Sequence, residues 1–252
     1  MKTFYFSATG NSLYVARRIG GDLYSIPRIL QDDQRDFTAE AIGFVFPCYA
    51  FGVPHLVVDF LQHATFHADY FFGVMTYGGM GGAAIRHLQD VGRQVGIPFA
   101  YTAEILMIDN YLPFCKVENE LKKEESKHIE QSLEQIVSAI HDRQQQLIRK
   151  SIPSLLCSKL IHTLFSKYVP AEDKKFLLDD TCNGCKVCAR VCPAHNIVVR
   201  RTPEFSHHCE GCYACIHHCP QNAIHVKRER SSARFINPHI SLQDIIDAND
   251  QR

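Results

Sequence analysis

The sequence predicts an α/β doubly wound domain followed by a small cysteine-rich module, and three observations carry that expectation. Through the first two thirds of the chain, apolar runs of strand length alternate with amphipathic helical runs, the pattern of a parallel sheet covered on both faces. Eight of the 11 cysteines fall between Cys182 and Cys219, leaving Cys48, Cys115 and Cys157 elsewhere. The length of 252 residues suits one medium domain and one small one, at about 100–200 residues per domain.

The elements follow in order. Lys2 to Phe6 is a strand, and Ser12 to Gly20 carries Leu13, Val15, Ala16 and Ile19 at helical spacing. Tyr24 to Ile29 is a weaker strand candidate, interrupted by Pro27. Ala41 to Phe46 is a clear strand closed by Pro47, and Pro54 opens a helix to Leu61. Tyr70 to Thr76 is a buried strand, followed by a glycine-rich turn and a helix from Ala83 to Val95. Tyr101 to Ile108 is the last strand. Glu118 to Lys150, without Gly or Pro, reads as one long helix packed on the sheet. These elements make a domain of residues 1–150. Residues 151–176 form an amphipathic helical connector that docks on one or both domains, residues 177–230 hold the clustered cysteines, and residues 231–252 form a C-terminal tail, which after Ile236 holds one short helix capped by Ser241 and then a polar end.

Composition narrows the function. Hydrophobic residues at 46% and charged residues at 21% are globular values, and a net charge of zero gives no support to nucleic-acid binding. The apolar stretch after Met1 is too short for a signal segment, and no run approaches the roughly 18 apolar residues of a membrane helix. A cytoplasmic chain is expected, in which clustered cysteines bind metal or do redox work. Lys159 and Lys167 permit a membrane-surface reading of the connector, but their charge is too sparse to prefer it.

The cysteines form an internal repeat, Cys182-x2-Cys185-x2-Cys188-x3-Cys192-Pro193 and Cys209-x2-Cys212-x2-Cys215-x3-Cys219-Pro220, continued by Ile197 and Val199 matching Ile224 and Val226. Three thiolates at this spacing wrap one face of an iron–sulfur cube, and the fourth reaches the other cube. Cys182, Cys185, Cys188 and Cys219 are then expected to hold one [4Fe–4S] cluster, and Cys209, Cys212, Cys215 and Cys192 the second. Zinc prefers separated CxxC pairs and four ligands per site, which suits this pattern less well. His195, His207, His208, His217, His218 and His225 crowd the module and are expected at its surface or behind the ligands; the eight thiols make histidine ligation unnecessary.

This segment resembles the bacterial-type two-cluster ferredoxins over roughly Asp179 to Lys227, which implies a small α+β domain. It departs from them in charge: Asp179, Asp180, Glu204, Glu210 and Glu229 are balanced by Lys186, Arg190, Arg200, Arg201, Lys227 and Arg228. Docking through an acidic face is therefore not expected.

The first strand runs into Ser7-Ala8-Thr9-Gly10-Asn11-Ser12, directly before a helix. A hydroxyl-rich turn there offers backbone N–H groups and a favourable dipole to an anion. The absence of GxxxxGK[ST] excludes a triphosphate loop, and a neutral cradle suits a monophosphate. Gly79 to Ala84 formally fits GxGxxA, but it follows a late strand and lacks the acidic residue that the dinucleotide fold requires. The loop resembles the flavodoxin phosphate loop, and the resemblance covers most of residues 1–150. It implies FMN, with Ser7, Thr9, Gly10, Asn11 and Ser12 on its phosphate. Later loops would approach the ring through Pro47, Tyr49, Ala50, Phe51 and Gly52, then Thr76, Tyr77, Gly78 and Gly79, then Asn110 and Tyr111. Tyr49, Phe51, Tyr77 and Tyr111 are candidates to stack on the ring or to sit in the core. Cys48 in the second loop is expected to be a buried, inert thiol.

The whole chain resembles the flavodoxin–ferredoxin fusion proteins of anaerobes, the ferredoxin-type iron–sulfur flavoproteins. The resemblance implies a low-potential electron-transfer protein with unidentified redox partner proteins, joining two [4Fe–4S] clusters to FMN. A flavin-dependent reductase of a small molecule is the alternative, and a redox sensor ranks last, since no DNA-binding motif or basic stripe supports one. Oligomeric state is not legible.

Overall fold

The computed structural model describes residues 1–32 and 34–249. It begins with β1 (Lys2–Tyr5), α1 (Asn11–Ile19), β2 (Asp22–Ser25), a single turn α2 (Ile26–Ile29), β3 (Asp36–Thr38) and β4 (Ala41–Pro47). It continues with α3 (His55–His63), β5 (Thr65–His67), β6 (Tyr70–Tyr77), α4 (Ala84–Val95) and β7 (Tyr101–Leu106). Five strands form one parallel sheet in the order β2-β1-β4-β6-β7. This is the flavodoxin-like doubly wound order, whose switch point lies between β1 and β4 at the carboxyl edge. The expected strand from Tyr24 to Ile29 is corrected: β2 stops at Ser25, and Pro27 sits in the first turn of α2, where its missing N–H costs nothing.

Alternation along the strands builds two cores. Phe4, Phe6, Ile42, Phe44, Phe46, Phe71 and Met75 point to the face covered by α2, α3 and α4. Tyr5, Val45, Phe72 and Val74 point to the other face, under α1. Gly43 leaves room for Phe72 there, because a Cβ would fall 1.9 Å from the Phe72 ring.

The expected single helix from Glu118 to Lys150 is three pieces: α5 (Val117–Leu121), a 3-10 turn at Glu125–Lys127 and α6 (Ile129–His141). Residues 121–126 are exposed on every side, so helix propensity there gains no burial. His128 takes a left-handed φ of 48° and restarts the chain. Beyond α6, Gln146 extends the sheet edge by bridging Tyr101.

The connector forms α7 (Ile152–Tyr168) and a 3-10 segment, Val169–Lys175. The cysteine module follows with β8 (Phe176–Leu178), α8 (Val187–Arg190), β9 (Ile197–Val199), β10 (Pro203–Phe205), α9 (Ala214–His217) and β11 (Ile224–Val226). β8 pairs with β11 and β9 with β10, both antiparallel, giving a small α+β module. Among the described residues no helix is long and apolar enough to cross a membrane.

The C-terminal tail packs on the rest of the chain as a strap. Phe235, Asn237, Ile240, Ile245, Ile246, Ala248 and Asn249 are buried, and α10 (Leu242–Asn249) lies against α2. Ser241 does cap this helix: its hydroxyl accepts from Asp244 N at 3.1 Å while the Asp244 carboxylate accepts from Ser241 N at 2.8 Å. The rest of the expected tail, residues 250–252, lies outside the described residues.

Candidate functional site

A cavity of about 690 Å³ opens at the carboxyl edge of the sheet, beside the β1–β4 switch point. Fourteen of the sixteen residues expected around the flavin line it: Ser7, Thr9, Asn11, Ser12, Pro47, Tyr49, Ala50, Phe51, Thr76, Tyr77, Gly78, Gly79, Asn110 and Tyr111. Gly10 and Gly52 do not, and each has a different structural task. Gly10 turns the chain into α1 with φ 101°, and a Cβ there would meet Asn237 Cβ at 2.9 Å. Gly52 closes a tight turn with Tyr49 through paired backbone hydrogen bonds of 3.0 Å, and a Cβ there would overlap the His162 imidazole.

The loop from Ser7 to Ser12 is held by its own polar groups. Ser7 Oγ accepts from Gly10 N, Ser12 and Thr76 hydroxyls meet at 2.8 Å, and Asn110 Nδ2 donates to Thr9 Oγ1 at 2.8 Å. No side chain caps the N-terminus of α1, so its first-turn N–H groups and positive dipole end are available to an anion. Ala50 and Phe51 both take left-handed backbone, at φ 46° and 65°, which sharpens the turn beside the cavity. Cys48 also lines the cavity; its thiol donates to Gly81 O at 3.5 Å, and burial pushes its pKa up to about 12. It is poorly suited to be a nucleophile.

The opposite wall escaped the sequence reading. It comes from Phe114, from Ile161, Leu164, Phe165 and Tyr168 of α7, from Val169, Glu172 and Lys175, and from Gly211, Cys212 and Tyr213. The buried Glu172 accepts from Tyr213 hydroxyl at 2.8 Å and from Lys175 at 2.6 Å, tying the connector to the cysteine module. The sequence expectation of an amphipathic connector with Ile161, Leu164 and Phe165 among its apolar residues did not reach as far as this cavity.

The eight repeat cysteines border two small cavities. Cys182, Cys185, Cys188 and Cys219 line one; Cys192, Cys209, Cys212 and Cys215 line the other. The two repeats share a backbone: Gly184 and Gly211 both have φ 69°, Lys186 and Tyr213 have φ 65° and 56°, and His195 and Asn222 both have φ 51°. These left-handed positions turn successive N–H groups inward, a concavity that favours negative charge. Asn196 N and Ala223 N, each four residues past the fourth cysteine, donate to Cys192 and Cys219 sulfurs at 3.4 and 3.3 Å. Burial, then the charges of Cys219, Cys185 and Cys182, push the Cys188 thiol up to about 12. Burial, then Cys212, Cys192 and Cys209, raise Cys215 well above the ordinary value. Such thiols need a bound cation group to ionise together. Among the described residues no group of three or more His, Cys, Asp or Glu is placed to hold a single metal ion.

Two histidines expected at the module's surface or behind the ligands are buried and reach the sheet. His217 accepts from Phe235 N at Nδ1 and donates to Asn110 O from Nε2 at 2.9 Å, and burial lowers its pKa to about 3. His218 Nε2 donates to Ala8 O at 3.0 Å. The strap grips the same loops: Asn237 N donates to Thr9 O, Asn237 Nδ2 to Asn11 Oδ1, and Asn249 Nδ2 to both Ser7 O and Val191 O.

Comparison with known proteins gives the family of one segment. Residues 174–220 match a 4Fe-4S dicluster domain. No match was found among curated proteins. Among solved structures the chain is similar to a candidate flavoprotein from Bacteroides uniformis, with 17% identity, 48% of this chain and 96% of that one covered, and a TM-score of 0.34. It is also similar to the Trp repressor binding protein from Bacillus subtilis, with 15% identity, 60% and 98% covered, and a TM-score of 0.34. The C-terminal module thus matches a 4Fe–4S dicluster domain and follows a flavodoxin-like parallel sheet.

Proposed function

We propose that the chain is a low-potential electron-transfer protein that joins two [4Fe–4S] clusters to FMN. One observation carries the reading: Cys212 lines both the second cysteine cavity and the large cavity at the sheet edge. A cluster on one side of that wall and a flavin on the other would be adjacent. The clusters would supply one-electron exchange and FMN one- or two-electron exchange, so the pair links the two kinds of redox step.

The residues fit these groups. Cys182, Cys185, Cys188 and Cys219 would hold the outer cluster, with Cys185 exposed toward a partner protein. Cys192, Cys209, Cys212 and Cys215 would hold the inner one. Four thiols around a cavity, with none placed on a single ion, favour a cube over zinc. The Tyr49 hydroxyl is buried without a partner near Cys212 and Cys209, where a cluster sulfur would accept its hydrogen bond. Ser7, Thr9, Asn11, Ser12 and the start of α1 would hold the phosphate. Tyr49, Tyr77 and Tyr111, with Phe51, would surround the ring. A flavin-dependent reductase of a small molecule is the second reading, favoured by the open cavity with exposed Met80 and Phe114 at its rim.

The ligand partition is testable by iron content. Cys192→Ser and Cys212→Ser should each remove about half the iron, and the double variant should remove no more, since both residues serve one cluster. A double variant that loses all its iron would break the crossed assignment.

A further inference from the structure

The loop from Ser7 to Ser12 is fastened to the cysteine module through its own backbone carbonyls. His218 Nε2 donates to Ala8 O at 3.0 Å. Asn249 is fully buried, and its side-chain nitrogen donates to Ser7 O and to Val191 O, both at 3.2 Å. A third route has one more link. His217 Nε2 donates to Asn110 O at 2.9 Å, and Asn110 Nδ2 donates to Thr9 Oγ1 at 2.8 Å. Buried carbonyls must be paired, so the shape of the loop depends on these donors.

Every anchor on the module side lies between two repeat cysteines. Val191 stands between Cys188 and Cys192, and His217 and His218 stand between Cys215 and Cys219. In the assignment above, Cys188 and Cys219 serve the outer cluster, and Cys192 and Cys215 the inner one. Each anchor is therefore bracketed by ligands of both clusters. The local backbone is weak support for them. α8 and α9 have four residues each, and a single turn of helix does not persist by its own hydrogen bonds. The flanking strand pairs are three residues long. In so small a module, metal binding supplies much of the folding free energy.

We propose that the clusters and FMN load cooperatively: the clusters hold the two turns that shape the phosphate loop, and FMN on that loop holds the turns in return. The inference rests on the redox reading above and adds a dependence between its cofactors that adjacency alone does not require. Sites joined in this way raise each other's affinity by one common factor, typically about 5–150-fold.

The test compares FMN binding in the full wild-type chain and in a Cys182→Ser, Cys185→Ser double variant. Both cysteines border the outer cysteine cavity, and neither lines the large cavity. In anaerobic fluorescence titrations of flavin-stripped protein, wild type with both clusters should bind FMN at least about fivefold more tightly than the variant with its inner cluster alone. Asn249→Ala cuts one anchor and should shrink that ratio. In the other direction, FMN should slow the loss of wild-type iron to a ferrous chelator several-fold. Riboflavin, which lacks the phosphate, should slow it much less. Equal FMN affinity in wild type and the double variant overturns the proposal. So does an unchanged ratio in Asn249→Ala, or equal protection by riboflavin and FMN. Iron-complete wild type that binds no FMN would instead sink the redox reading itself.

Discussion

Tyr49→Phe tests where the second cluster sits. The Tyr49 ring packs edge-on against Phe6 at 6.0 Å, and phenylalanine keeps that contact. Only the hydroxyl is lost, and it is buried with no protein partner among the described residues. Burial first, then negative charge at Cys212, Glu210 and Cys209, raises its pKa well above the ordinary value, so it stays protonated as a donor. In the loaded protein the hydroxyl would donate to a cluster sulfur, a bond that favours the more negative reduced state. Taking the difference between redox states as about 1 kcal/mol, its loss lowers that cluster's potential by roughly 40 mV for one electron. A potentiometric titration of the loaded variant beside wild type, at equal iron content, reads the shift. An unmoved or raised potential would refute the placement.

Other predictions follow from single contacts. Burial, then His162 and His55, lowers the His87 pKa to about 4, and its Nδ1 accepts from Val53 N. The unfolded chain therefore binds the extra proton first, and stability should fall as pH drops from 6.5 toward 4, by on the order of 2–3 kcal/mol. His87→Asn, which retains an acceptor, should flatten that acid limb in pH-dependent unfolding. Gly52→Ala places a Cβ 2.1 Å from the His162 ring and should displace α7, costing more than about 2 kcal/mol in urea unfolding. Asn237→Ala removes the bond to Asn11 Oδ1 and should cost about 1–2 kcal/mol and weaken FMN binding several-fold in a fluorescence titration.

The features legible in the sequence were those set by local pattern. The apolar runs at Ala41–Phe46 and Tyr70–Thr76 could only be strands buried on both faces, and each stops within one residue of its expected end. The cysteine repeat encoded its own loops, since Gly184 and Gly211 stand where the left-handed turn needs glycine. Long-range features were hidden. Residues 118–150 have helix-forming composition, yet only the stretch bearing Leu133, Ile136 and Ile140 finds a surface to bury against. Asn237 and Asn249 look like polar tail residues until the fold brings Asn11 and Ser7 to them. The sequence left His217 and His218 open between the surface and a place behind the ligands, because nothing nearby in sequence showed that Asn110 O and Ala8 O would receive them.

The central claim is that one chain holds two clusters beside one flavin, and an anaerobic reductive titration of the purified protein with cofactor analysis tests it most directly. About one FMN and eight iron per chain are expected, and roughly four electrons taken up, one per cluster and two by the flavin. Zinc in place of iron, or iron-complete protein that takes up only about two electrons and binds no added FMN, would contradict it.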